Sequence, residues 1–63
     1  MCLSNVYKNE ISDENLLISN VSRIDVDGDK ITLTDLMERE MVVMGHLVSL
    51  DLVGAKVLLR PID

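Results

Sequence analysis

The stretch Arg23-Ile24-Asp25-Val26-Asp27-Gly28-Asp29-Lys30-Ile31-Thr32-Leu33-Thr34 decides how this chain folds. Its centre, Gly28-Asp29, signals a two-residue hairpin turn, because Gly takes the positive φ such turns need and Asp tolerates turn geometry. Counting outward pairs Asp27 with Lys30, Val26 with Ile31, Asp25 with Thr32 and Ile24 with Leu33. Every apolar residue then faces an apolar partner, and Asp27 faces a cation. Strand side chains alternate between faces, so a slip of one residue would turn the apolar set outward. The pattern specifies the register as well as the hairpin.

Working outward, no segment keeps an apolar 3.6-residue period for three turns, and β-branched residues are frequent. Candidate strands are 2–8, 15–26, 30–36, 40–45, 46–52 and 56–60, with 9–14 a polar loop and 36–41 open to a helical turn instead. A second hairpin is expected at Gly54-Ala55, pairing Leu52 with Val57 and Leu50 with Leu59, with Ser49 and Asp51 facing water. His46 falls in the inward phase with Val48, Leu50 and Leu52. Pro61 cannot donate to a ladder and ends the last strand. Five to six short antiparallel strands in 63 residues leave fewer open edges when they close on themselves. The expected fold is all-β, a small SH3-like barrel, with residues 1–63 forming one domain.

Composition narrows the function. Hydrophobic residues make up 48% of the chain, ample for a core, yet Tyr7 is the only aromatic residue. The stacking platforms that usually carry single-stranded nucleic acid are therefore missing. Net charge is −5 and the six cations are scattered, which disfavours phosphate backbones and acidic membranes alike. No apolar run approaches the roughly 18 residues needed to span a bilayer, and the N-terminus has no basic segment followed by an apolar stretch, so it does not read as a secretory signal. The expected compartment is the cytoplasm. A domain this small buries only about 60% of its unfolded surface, and one cysteine makes no internal disulfide. Another staple is needed, and a partner subunit is the expected one.

Among residues able to carry chemistry, Cys2 stands first. A free cysteine is commonly a small buried apolar residue, but a thiol at position 2 lies beside the chain's own amino group. With Met1 removed, amine and thiolate close a five-membered chelate. With Met1 retained, its amine, the Cys2 amide nitrogen and the thiolate make a tridentate set. Two copies about a two-fold axis would supply two amines and two thiolates, four donors suited to square-planar Ni(II). His46 reads as a core or edge histidine before it reads as a ligand. Met37, Met41 and Met44 read as gap fillers rather than soft-metal donors. The run from Asp25 to Asp29 lacks the Gly and Glu of a calcium loop where those are needed, since Lys30 and Leu36 stand there. A nucleophilic pair would have to join Cys2 to His46, no phosphate-cradling glycine loop is present, and Glu38 and Glu40 imply no sheltered cleft. Enzymatic activity is not expected.

The assembled features resemble the CooT family of nickel-binding accessory proteins of carbon monoxide dehydrogenase. They are Met1-Cys2-Leu3, Val6-Tyr7, the segment Asn20 to Val26, the Asp27-Gly28-Asp29 turn, Thr32 to Leu36, Val48 to Leu52, and Lys56-Val57-Leu58-Leu59. The resemblance spans essentially the whole chain. It implies an SH3-like barrel, a homodimer, and Ni(II) bound through Cys2, delivered or stored for maturation of carbon monoxide dehydrogenase or another nickel-dependent client. Two other readings stand beside it: a small RNA-binding barrel, and a structural interaction module without metal.

Overall fold

The computed structural model describes residues 3–62. Five strands follow one another: β1 (Ser4–Lys8), β2 (Leu16–Asp27), β3 (Lys30–Asp35), β4 (Glu40–Asp51) and β5 (Lys56–Pro61), with a short 3-10 turn at Asp13–Asn15. They close into a barrel in the order β1-β2-β3-β4-β5. Four neighbouring pairs are antiparallel. The ring shuts with a parallel pairing, β1 against β5, from Asn5 opposite Lys56 to Lys8 opposite Leu59. The all-β barrel is as expected. The parallel closure is not what an all-antiparallel reading gives, because it joins the two ends of the chain and leaves no local pattern.

The β2–β3 hairpin carries the anticipated register: Asp27 opposite Lys30, Val26 opposite Ile31, Asp25 opposite Thr32, and Ile24 opposite Leu33. Gly28 at φ +61° supplies the left-handed backbone of the turn, which costs an L residue with a Cβ more than it costs glycine. On β3 the alternation is complete. Ile31 and Leu33 are wholly buried, while Lys30 is exposed. They join Val6, Val21, Val57 and Leu59 in the core, with Leu17, Ile18, Ile24, Met41, Val43 and Leu47 packed around it.

The two twelve-residue strands bend so that each serves both halves of the barrel. β2 carries an irregularity between Val21 and Arg23 against β3, and Asn20 takes φ +57°. β-bulges bend strands in this way. β4 runs unbroken through 40–51 where two strands, 40–45 and 46–52, were expected. Gly45 is not a break but a point of close approach. A Cβ there would lie 2.4 Å from the Arg60 carbonyl oxygen and 2.7 Å from Pro61 Cα.

The second hairpin departs from expectation. Asp51 lies opposite Lys56, Leu50 opposite Val57, and Leu47 opposite Leu59. The connection is thus the four residues Leu52 to Ala55, not Gly54-Ala55 alone. Asp51 causes the change. Its Oδ1 accepts the backbone N–H of Val53 at 3.1 Å and of Gly54 at 2.9 Å, a side-chain turn that replaces a tight primed one. Ala55 then returns the chain with φ +56°. A bulge between Leu47 and Ser49 shifts the inward phase, so Leu47 packs on the core while His46 and Val48 are exposed.

The 36–41 segment is a turn leading into β4 rather than a helix. Asp35, only 4% exposed, accepts at Oδ1 from the backbone N–H groups of Met37 and Arg39, and at Oδ2 from the Arg39 guanidinium.

Candidate functional site at the N-terminal end of the barrel

Cys2, the residue expected to bind metal, lies outside the described residues. Its sequence neighbours define the region to consider. Ser4 opens β1 opposite Val21, and the Asn5 backbone N–H donates to the Ala55 carbonyl at 2.9 Å. The start of β1 is therefore tied on one side to the bend of β2 and on the other to the β4–β5 hairpin.

Between those elements lies an apolar depression of about 150 Å³. Val21, Ile24, Leu50, Leu52 and Val57 make its apolar wall, and Ser4, Ser22 and Arg23 its polar margin. Leu50 shares the row of buried Val57, but sits at the mouth of the barrel and is half exposed. Beyond it the hairpin tip is apolar and open, with Leu52 75% exposed and Val53 fully so. Sequence alternation marked Val48, Leu50 and Leu52 as candidate core, because period 2 separates faces without saying which one is covered. All three are exposed.

The other candidates are placed elsewhere. His46 lies opposite Arg60, at the far end of the β4–β5 ladder from the Asp51–Lys56 pair, and Lys56 is the neighbour of Asn5. Its side chain is 64% exposed, with Nδ1 3.7 Å from Asp29 Oδ1. The expectation that it points inward is corrected by the bulge at Val48. Met41 packs on the core, but Met37 and Met44 are exposed, so only one of the three fills a gap. Asp25 pairs with Arg23 at 3.0 Å, and Asp27 faces Lys30. The Asp25 carboxylate is thus engaged by a local cation. Among the described residues no three of His, Cys, Asp and Glu converge as a metal cluster. Nor is any helix among them long and apolar enough to cross a membrane.

Asp35 is the structurally important polar residue that the sequence reading passed over. Its hydrogen bond from the Arg39 backbone N–H outweighs the opposing effect of burial, and with further bonds from the Arg39 side chain and the Met37 N–H it holds the carboxyl below its ordinary value. Asp at the end of a strand pattern, followed four residues later by Arg, was the available signal.

Fold and site together define a small closed β-barrel with an apolar face beside the start of its first strand. The family described as "CO dehydrogenase accessory protein CooT" matches residues 1–60, and the chain belongs to that family. A crystal structure assigned to CooT from Carboxydothermus hydrogenoformans matches with a TM-score of 0.84. The match covers 98% of this chain and 100% of that one at 19% sequence identity, which bears on the fold. No curated protein matches the chain.

Proposed function

We propose that this chain carries Ni(II) as cargo, holding it through the Cys2 thiolate and N-terminal nitrogen donors at a site shared by two copies. The cargo is delivered to carbon monoxide dehydrogenase during its maturation, or stored for it. The family match carries this reading, because it runs from residue 1 and so includes Cys2. The chemistry supports it. Thiolate and amine donors suit a square-planar Ni(II) centre, and a two-fold axis doubles a bidentate set to four ligands. The protein acts as a non-enzymatic accessory in the cytoplasm, with the client enzyme as its transient partner and with neither nucleic acid nor membrane as a ligand. Its scattered cations support the last point, since Arg23 and Arg39 are each paired with a carboxylate.

Native mass spectrometry with and without Ni(II) tests the reading. The expected species is one nickel per two chains, absent from Cys2→Ala. Equal nickel loading of Cys2→Ala would eliminate it. A metal-free interaction module is the alternative, favoured by the exposed apolar hairpin tip. It predicts the same mass for the assembly whether nickel is present or not, with no nickel retained.

A further inference from the structure

We propose that the open edge of β4 over residues 40–44 receives an extended, lysine- or arginine-bearing segment of another protein as an added strand. The inference concerns protein docking and is independent of the nickel reading.

Each half of β4 has a strand neighbour on one side. Residues 40–44 pair with β3, whereas 45–51 pair with β5. Two bonds at the ends of the β3–β4 ladder fix its phase: the Asp35 N–H donates to the Arg39 carbonyl, and the Gly45 N–H to the Asp29 carbonyl. Antiparallel bonds alternate along a strand, so Met41 and Val43 turn their backbone groups toward β3. Those of Glu40, Val42 and Met44 point the opposite way. The Met44 carbonyl bears this out, accepting the Ile62 N–H at 2.8 Å on that side. β5 ends at Pro61, and among the described residues the N–H and C=O of Glu40 and Val42 meet no backbone partner there.

Backbone chemistry selects the occupant. A row of N–H and C=O groups recurring every second residue is matched by another extended backbone. Edges are ordinarily blunted by lysine, proline or a bulge. The run Glu40-Met41-Val42-Val43-Met44 holds neither lysine nor proline. Its ladder with β3 runs without a register shift, whereas the other half of β4 bulges between Leu47 and Ser49. Val42, Met44 and Ile62 stand half-exposed along the edge, an apolar strip for alternate side chains of the incoming strand. Charge sets the rest. Glu38 and Glu40 are exposed, and among the described residues neither carboxylate joins an ion pair. Cations on the added segment would meet them, whereas a second copy of a chain carrying −5 would bring like charge to like.

Amide-resolved NMR on the full chain tests the proposal with synthetic hexapeptides: one alternating lysine and valine, one alternating glutamate and valine, and the lysine peptide with proline at its centre. The lysine peptide should bind with a Kd below about 1 mM and shift the resonances of 40–44 and Ile62. It should also slow exchange of the Glu40 and Val42 amides, which exchange fast in the free chain. The other two peptides should bind at least about tenfold more weakly. Val42→Pro deletes an N–H that β3 does not use, and Glu40→Lys reverses a charge while keeping every backbone group. Each should weaken the lysine peptide at least about tenfold, with circular dichroism confirming that the variant is folded. A lysine peptide that leaves 40–44 unshifted at about 1 mM, or that binds either folded variant as it binds the native chain, would overturn the proposal. So would equal binding of the glutamate peptide. Protection of the Val42 amide that grows with protein concentration, with no peptide present, would name a second copy as the occupant and overturn it too.

Discussion

Asp35 closes on Arg39 from two directions. Its Oδ1 accepts the Arg39 backbone N–H at 2.9 Å, and its Oδ2 accepts the guanidinium Nε at 2.8 Å. With the Met37 N–H also on Oδ1 at 2.9 Å, one nearly buried carboxylate organises the passage from β3 to β4, including Glu38 at φ +65°.

Acid should weaken the fold through this carboxylate. Asp35 titrates below its ordinary 3.8 in the folded chain, chiefly through the Arg39 backbone hydrogen bond. The unfolded chain therefore takes up a proton first as the pH falls, so this group's contribution is complete above 3.8 and is lost on acidification below it. Urea midpoints measured from neutral pH into acid should fall more steeply for the native chain than for Asp35→Asn. The variant should already be less stable at neutral pH. Parallel profiles would contradict this role.

Core and surface truncations should separate cleanly. Leu33→Ala removes a wholly buried side chain from the central strand and should cost about 2–5 kcal/mol. Val42→Ala, on the exposed face of β4, should change stability by less than about 0.5 kcal/mol. Equilibrium urea unfolding reads both.

Two glycines should respond for different reasons. Gly45→Ala drives a methyl group into the backbone of Arg60 and Pro61, an overpacking that should cost about 1–3 kcal/mol or more. Gly28→Ala meets no neighbour within 4 Å but keeps φ +61°, so its cost should be about 1–2 kcal/mol from backbone conformation alone. Gly28→Asn should recover part of that loss, because Asn tolerates the left-handed region, whereas Gly45→Asn should not.

How much of this was legible in the sequence follows from how local each determinant is. The 23–34 hairpin was readable because its turn and its mirrored apolar pattern agree over twelve contiguous residues. The second hairpin was misread because Asp51 turns the chain with its side chain and Val48 bulges, two features that alternation does not encode. The outward placement of Leu52 and Val53 was hidden for a related reason, since apolar residues beside a strand read as core. Asp35 takes its carboxylate partners from Met37 and Arg39 in the next four residues, so its role was within reach of a local reading that attended to the Asp-to-Arg spacing. The β1–β5 closure joins opposite ends of the chain. Cys2 is proposed as a donor on its position and chemistry alone, and it lies outside the described residues.

The central claim is that nickel is held by the sulfur and nitrogen donors at the start of the chain. Its most direct test is an equilibrium Ni(II) titration of the native chain and Cys2→Ala, followed by ultraviolet thiolate-to-nickel charge transfer and repeated at falling pH. The account predicts a charge-transfer band saturating at one nickel per two chains, weakening with acid as thiol and amine regain protons, and missing from Cys2→Ala. Nickel binding of the same affinity and stoichiometry in Cys2→Ala would contradict it.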